Sequence, residues 1–552
     1  MRCVLALLLM AVTAQSQVAL PTMPTWMSAE TEYNGTGLDV GDIDGDGWLD
    51  LAISNGNDIT QSPNLVYHND HGTLPEAATW TSQDERYSGH CQLADLDGDG
   101  LPELMVSNYI TPGWGPAQVQ VYKNVDGVLE TWPSWESPDN IYSFRATFGD
   151  PDQDGDLDLA VATGEAYHSE YEANLIFFNV DGTLEDTPGW SSTVDDACYD
   201  AKFVDIDQDG DQDLAFCGGG TSGRITIYRN NDGVIETSPF WTTAAADNGN
   251  TFDFDDLDGD GRCDLLVGFN DQLGGSGRFA AFLTNGGDLP TSPTWNSNFS
   301  GYGSAVVCAD LDGVNGPDLV TGGWWERIRI YLNDGNGGFA NEPDWETLEA
   351  WESVVENICL VDLDEGRSRL ETVALPMGTS LFEIPHRHLQ AVVSVTVGEQ
   401  DLPLDAYSSS LRDGWISLAD PAAFAGTVTY RVSDGLDLAI SNWDDAVFVF
   451  HSLLPTAVTE PDLPTVTVAE MRAWPNPFNP TTRLAIRLPE AGTVSLSIYD
   501  VTGRKVSTLV DGHLGAGEHT VNWSGQESAS GVYLARLKVG ETVLTRKLSL
   551  VK

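Results

Sequence analysis

Asp42-Ile43-Asp44-Gly45-Asp46-Gly47-Trp48-Leu49-Asp50 has the form D-x-D-x-D-G-x-x-D, and the chain returns to it again and again. Further copies begin at Asp95 (DLDGDGLPE), Asp150 (DPDQDGDLD), Asp205 (DIDQDGDQD) and Asp256 (DLDGDGRCD). Eroded copies follow at Asp310 (DLDGVNGPD) and Asp362 (DLDEGRSRL). Successive starts lie 51 to 55 residues apart. A second marker keeps the same period: Trp26, Trp80, Trp135, Trp190, Trp241, Trp295 and Trp345 each stand 15 to 17 residues ahead of a loop. Two markers in phase define a repeat architecture. Between them, short β-branched and aromatic runs such as Leu159–Ala162 and Val119–Tyr122 alternate with Gly, Asn and Asp turns. That pattern gives about four strands per unit, and no segment has a convincing helical period. The fold expected is all-β: a seven-bladed β-propeller whose tryptophans pack between blades.

The loop has its own chemistry. Positions 1, 3 and 5 offer carboxylates, position 7 a backbone carbonyl, and position 9 a carboxylate able to bind through both oxygens. Glycine at position 6 permits the sharp turn, and oxygen-only ligand sets suit Ca²⁺. The ligand sets expected are Asp42, Asp44, Asp46, Trp48 and Asp50; Asp95, Asp97, Asp99, Leu101 and Glu103; and Asp150, Asp152, Asp154, Asp156 and Asp158. They continue with Asp205, Asp207, Asp209, Asp211 and Asp213, then Asp256, Asp258, Asp260, Arg262 and Asp264. In each set the position-7 residue contributes only its carbonyl. A strand, Asp50-Leu51-Ala52-Ile53, follows the first loop where an EF-hand would place a helix. About five structural ions are expected. The sixth loop has Val314 in place of its third carboxylate, and the seventh has Gly366 there and Leu370 at position 9.

Charge divides the chain. The whole carries 84 acidic and 26 basic residues, a net of -58. Residues 471–552 hold 10 basic and 6 acidic side chains, which leaves 16 basic and 78 acidic for the first 470. So acidic a body excludes nucleic acid as a partner and calls for bound cations. The organisation expected is a signal peptide (1–16), a propeller (17–389), a small β insert (390–433), strands that close the ring (434–452), a linker (453–470) and a C-terminal β-sandwich (471–552). Arg2, the apolar Cys3–Val12 run and Val12-Thr13-Ala14 carry the signal-peptide reading. Gly435–Asn442 echoes Leu49–Asn55, which makes an eighth, degenerate blade the rival to closing strands. Of the six cysteines beyond residue 3, Cys198 and Cys217 alone flank one loop. The others read as buried small hydrophobes.

The repeats resemble the FG-GAP or VCBS repeats of integrin α-subunit propellers and their bacterial relatives. That resemblance implies a seven-bladed ring with structural calcium in hairpin loops on one face and partners bound through other loops. The last segment resembles the C-terminal sorting domain of type IX secretion cargo and the immunoglobulin-like module of flagellar hook-cap proteins. It rests on Trp474–Pro480, Ser497-Ile498-Tyr499-Asp500-Val501-Thr502-Gly503-Arg504, Gly531-Val532-Tyr533 and Arg546-Lys547. It implies export across an outer membrane of a Gram-negative-type bacterium, contact with the secretion machinery, and a secreted or surface location.

No catalytic motif stands out among nine scattered histidines. His386 and His388 form an H-x-H that reads as an ordinary pair ahead of a metal site. The expectation is a non-catalytic protein that binds a protein or glycan. A lectin using the repeated tryptophans, or a polysaccharide-degrading enzyme, are the alternatives.

Overall fold

The computed structural model describes residues 18–453 except 139, 181, 219–222, 349–352, 365–367, 399 and 444–445. It also describes 470–550 except 475–479, 489–491, 501–503, 515–516, 527 and 540–541. The signal peptide, most of the linker and Pro475–Asn479 therefore lie outside the described residues. Two compact units divide near Thr456.

The first unit is built from four-stranded antiparallel sheets, one per repeat. In the first sheet Gly35–Gly41, Asp50–Asn55, Leu65–Tyr67 and Trp80–Thr81 pair in sequence order. Five more sheets follow the same plan, with inner strands Tyr87–Ala94, Ser143–Gly149, Cys198–Val204, Gly249–Asp255 and Gly303–Ala309. A seventh is assembled from distant pieces: Val355–Val361, Asp437–Asn442, Phe448–Phe450 and the N-terminal Trp26–Met27. Each inner strand packs on the next, and Val355–Val361 packs on Gly35–Gly41, so the succession closes on itself as a propeller. Middle strands are buried on both faces, which is why they read as continuous apolar runs such as Leu159–Ala162.

The N-terminal strand explains the phase of the tryptophan marker. Trp26 pairs with Val449, and so belongs to the sheet that precedes the first aspartate loop around the ring. Each marker tryptophan is the outermost strand of its own sheet. It meets an aromatic ring of the following sheet edge to face, from Trp26 on Tyr67 to Trp345 on Phe450, at centroid distances of 5.4 to 6.4 Å. Five indoles also donate to a backbone carbonyl beyond their own sheet, as Trp80 does to Leu129 at 3.0 Å. These contacts make the tryptophans mortar between sheets.

The insert begins earlier than its sequence suggests. Ser368–Leu375 pairs with Gly426–Ser433, and Leu381–Glu383 pairs with Trp415–Leu418. Residues 368–389, read from sequence as the end of the propeller, thus belong to the insert. Its two small sheets share a core that includes Leu375, Ile384, Val395, Ile416 and Tyr430. It lies over the aspartate-loop end of the ring, where Gly98 abuts Asp405 and Gly155 abuts Ala419.

The second unit packs a three-stranded sheet (Glu470–Trp474, Thr481–Leu488, Gly517–Ser524) with a four-stranded one (Gly492–Asp500, Lys505–Leu514, Gly531–Val539, Thr542–Leu550). Both contribute to one core containing Ile486, Leu496, Trp523 and Leu537. Tyr533 leans on Trp523 and donates its hydroxyl to Ala529 O at 2.7 Å, and Arg546 Nε donates to Met471 O at 2.8 Å.

Candidate functional site: the aspartate hairpins

Each of the five intact loops joins the first and second strands of its sheet. Two residues in it adopt left-handed backbone, for example Gly45 (φ 73°) and Gly47 (φ 95°). Glycine takes that conformation without a Cβ penalty, and Gln153 and Gln208 tolerate it at position 4. The position-1 carboxylate receives the N–H of position 6, at 2.9 Å from Gly47 to Asp42 and 2.8 Å from Gly100 to Asp95. The position-5 carboxylate receives the N–H of position 7: Trp48 to Asp46, Leu101 to Asp99, Asp156 to Asp154, Asp211 to Asp209 and Arg262 to Asp260.

The turns draw the carboxylates together. In the first and third loops one oxygen each of Asp42, Asp44 and Asp50, and of Asp150, Asp152 and Asp158, lies within 4.8 Å of the others. In the second, fourth and fifth loops the trio is Asp95, Asp97 and Asp99; Asp205, Asp207 and Asp209; and Asp256, Asp258 and Asp260. Asp42 Oδ1, Asp97 Oδ1, Asp158 Oδ2, Asp207 Oδ1 and Asp213 Oδ2 are buried without a hydrogen-bond partner. Burial, with the like charges beside them, pushes Asp42 up to about 6, Asp50 to about 7 and Asp158 to about 9. Buried acceptors left over in clusters of acids are what a hard divalent cation would satisfy, so the residues present fit Ca²⁺.

Position 9 also braces the hairpin. Asp50 receives the N–H of Ile43 at 3.0 Å and of Asn69 at 2.8 Å; Glu103 receives Leu96 at 2.9 Å and Asn124 at 3.2 Å. In the third loop Pro151 has no N–H to give, which leaves Asp158 Oδ2 the orphan already noted. The sixth loop keeps the brace through Asp318, which accepts from Leu311 and Asn333. Asn315 there turns its amide to Asn333 O at 3.2 Å. In the seventh repeat the brace is Asp437, which accepts from Leu363 at 2.9 Å and Ser452 at 2.7 Å. Leu370, the ninth residue by sequence count, lies within an insert strand instead.

An asparagine ends the third strand of most sheets and joins neighbours. Asn124 Nδ2 donates to Pro102 O in its own loop and to Ile43 O of the preceding loop, at 3.0 and 2.8 Å. Asn179, Asn230 and Asn333 repeat the bridge to Leu96, Pro151 and Leu257. Asn69 donates to Leu363 O at 2.8 Å and so ties the first sheet to the seventh. Order in one loop is thereby coupled to the sheet beside it.

Other sequence candidates resolve differently. His386 Nδ1 meets the Tyr430 hydroxyl at 2.8 Å, whereas His388 is buried with Nε2 at 2.9 Å from Cys308 O, so the two do not share a site. Cys198 and Cys217 are both free and buried, on paired strands two registers apart. Sequence reading missed an axial charge cluster. Asp253, on an inner strand, is held by Lys202 and by the insert's Arg387, each at 2.9 Å, and Arg387 also meets Asp413 at 3.1 Å. These cations hold Asp253 well below the usual carboxylate range despite its burial. The insert residues that complete the cluster carry no motif, and only the fold brings them to the axis.

The fold and its loops define the class: a β-propeller built from aspartate-loop repeats. The FG-GAP-like repeat family matches residues 42–106, 150–216 and 205–267, and the secretion system C-terminal sorting domain family matches residues 472–551. The chain thus carries FG-GAP-like repeats on a propeller and a secretion-system sorting domain at its tail, which directs it to the cell surface or extracellular space. No curated protein matches it. Among solved structures it aligns with PorZ, described as an essential bacterial surface component of the type IX secretion system of Porphyromonas gingivalis. Identity there is 13%, over 94% of this chain and 75% of that one, with a TM-score of 0.25. Among the described residues no helix is long and apolar enough to cross a membrane.

Proposed function

We propose that the protein is a non-catalytic, calcium-held, seven-bladed propeller displayed outside the cell, where it binds a protein or glycan through loops other than the aspartate hairpins. The observation that carries the calcium reading is the set of buried, unpartnered carboxylate oxygens in the hairpins. The ligands are those of the five intact loops, and the ions hold hairpins that asparagine bridges tie to neighbouring sheets. The sorting tail supplies the address and engages the secretion machinery. A lectin using the repeat tryptophans loses its basis, because Trp80 and Trp190 are buried and all seven contact the neighbouring sheet. The non-catalytic reading is supported by the axial acids Asp253 and Asp413, both committed to Lys202 and Arg387.

The test is a glycan array and a surface-protein pull-down with the mature chain, in calcium and in chelator. Retention of a protein or glycan in calcium, lost in chelator, is the expected result. Cleavage of an arrayed polysaccharide would overturn the non-catalytic reading.

A further inference from the structure

Once the seven repeat tryptophans are set aside, a second set appears. Trp114, Trp324, Trp325 and Trp443 lie on connections between second and third strands, at the opposite end of the sheets from the aspartate hairpins. With Tyr109, Phe144, Tyr167 and Tyr199 they line an axial cavity of about 360 Å³ to which all seven sheets contribute. Its volume is at the low end for ligand pockets, the scale of a small molecule or one side chain.

The walls meet at angles from 33° to 75°. The Trp324 and Trp325 rings stand 6.4 Å apart at 75°, and Trp324 and Trp443 stand 5.7 Å apart at 33°. Trp114 closes on His168 at 4.6 Å and 46°. Such rings enclose a compact group from several sides, whereas a flat sugar ring is best served by one broad parallel face. Trp114 and Trp325 also hold left-handed backbone, with φ of 65° and 57°. For a bulky side chain this conformation is strained, and such strain clusters at ligand-binding and active sites. Trp325 remains 55% exposed at the rim.

The cavity holds acids and a single histidine, His168, which is paired with Glu165. Its ionisable lining includes Asp58 and Glu356, and no lysine or arginine is among the lining residues. Glu356 is 0% exposed. Its Oε1 accepts the indole N–H of Trp324, and Oε2 is buried with no hydrogen-bond partner. Burial holds this carboxyl well above its ordinary range, with the Trp324 hydrogen bond and the Arg145 charge acting in the opposite direction, and its orphaned Oε2 can accept a further donor or positive charge.

We infer that this cavity binds an organic cation, a quaternary or protonated ammonium group held by the aromatic walls with Glu356 as counter-charge. Cation–π attraction to several rings is strongest where water is excluded, and the acid adds a charge-assisted contact. The inference goes beyond the calcium reading and does not depend on it, since none of the cavity residues belongs to an aspartate hairpin.

The test is a tryptophan-fluorescence titration of the intact mature chain in calcium. The probes are choline, its neutral isostere 3,3-dimethylbutan-1-ol, maltose, and a peptide bearing trimethyllysine. Choline should bind at least about tenfold more tightly than the isostere. Trp325→Ala, at an exposed ring, should weaken choline by about tenfold without changing the melting temperature, and Glu356→Gln should weaken it similarly. Peptide binding tighter than choline would place the cation on a partner's side chain; choline binding as tight or tighter would place it on a free small molecule. Equal binding of choline and its isostere, or binding of maltose in their stead, would overturn the proposal.

Discussion

Removing calcium should melt the propeller at a far lower temperature. The perturbation is chelator against about 10 mM calcium, a hundredfold excess over a dissociation constant of about 10⁻⁴ M, within the range of extracellular calcium modules. Mass action at that excess adds about 2.7 kcal/mol per site, and five intact hairpins together add about 13 kcal/mol. Unfolding entropy for a unit the size of Met1–Thr456 is about 0.9 kcal/mol/K, so the melting temperature should rise by about 15 °C. Asparagine bridges couple five of the seven loops to the next sheet, Asn69 tying the first sheet to Leu363, so the transition should stay single in both conditions. Scanning calorimetry reads both quantities. A shift under about 3 °C would show that the orphaned carboxylates are not calcium ligands, and the reasoning from burial would fail.

Three more outcomes follow from individual contacts. Asn124→Ala strands the buried carbonyls of Ile43 and Pro102 and should cost about 2–4 kcal/mol, read as a lower melting temperature in calcium. In chelator, where no ion contributes, Asp437→Ala should destabilise as much as Asp50→Ala, because each carboxylate holds two backbone N–H groups; an Asp437 variant that melts like the wild type would refute the brace. Deleting residues 471–552 should leave the propeller folded but trapped inside the outer membrane, and cell fractionation showing normal export would contradict the role of the sorting tail.

The hairpins were legible because their signal is local: Asp42 to Asp50 spans one turn, and its spacing dictates where the carboxylates go. Strand content and the period were legible for the same reason, through residues such as Trp80 and Leu159–Ala162 that recur in every unit. The seventh sheet was only half legible. Its position-9 carboxylate, Asp437, is separated from Asp362 by the whole insert, and no local spacing connects them. Leu381–Glu383 alternates like any short strand, so its pairing with Trp415–Leu418 was invisible in the pattern. The axial cavity escaped notice for a different reason. Trp114, Trp324 and Trp443 sit on connections of unequal length, outside the phase of the repeat, and only closure of the ring gathers them.

The most direct measurement is a count of bound metal. Crystals grown in calcium, with anomalous diffraction to locate the ions, should show about five per chain, one in each of the hairpins that begin at Asp42, Asp95, Asp150, Asp205 and Asp256. Hairpins with no ion, or with carboxylates satisfied by water alone, would contradict the claim that calcium holds this propeller together.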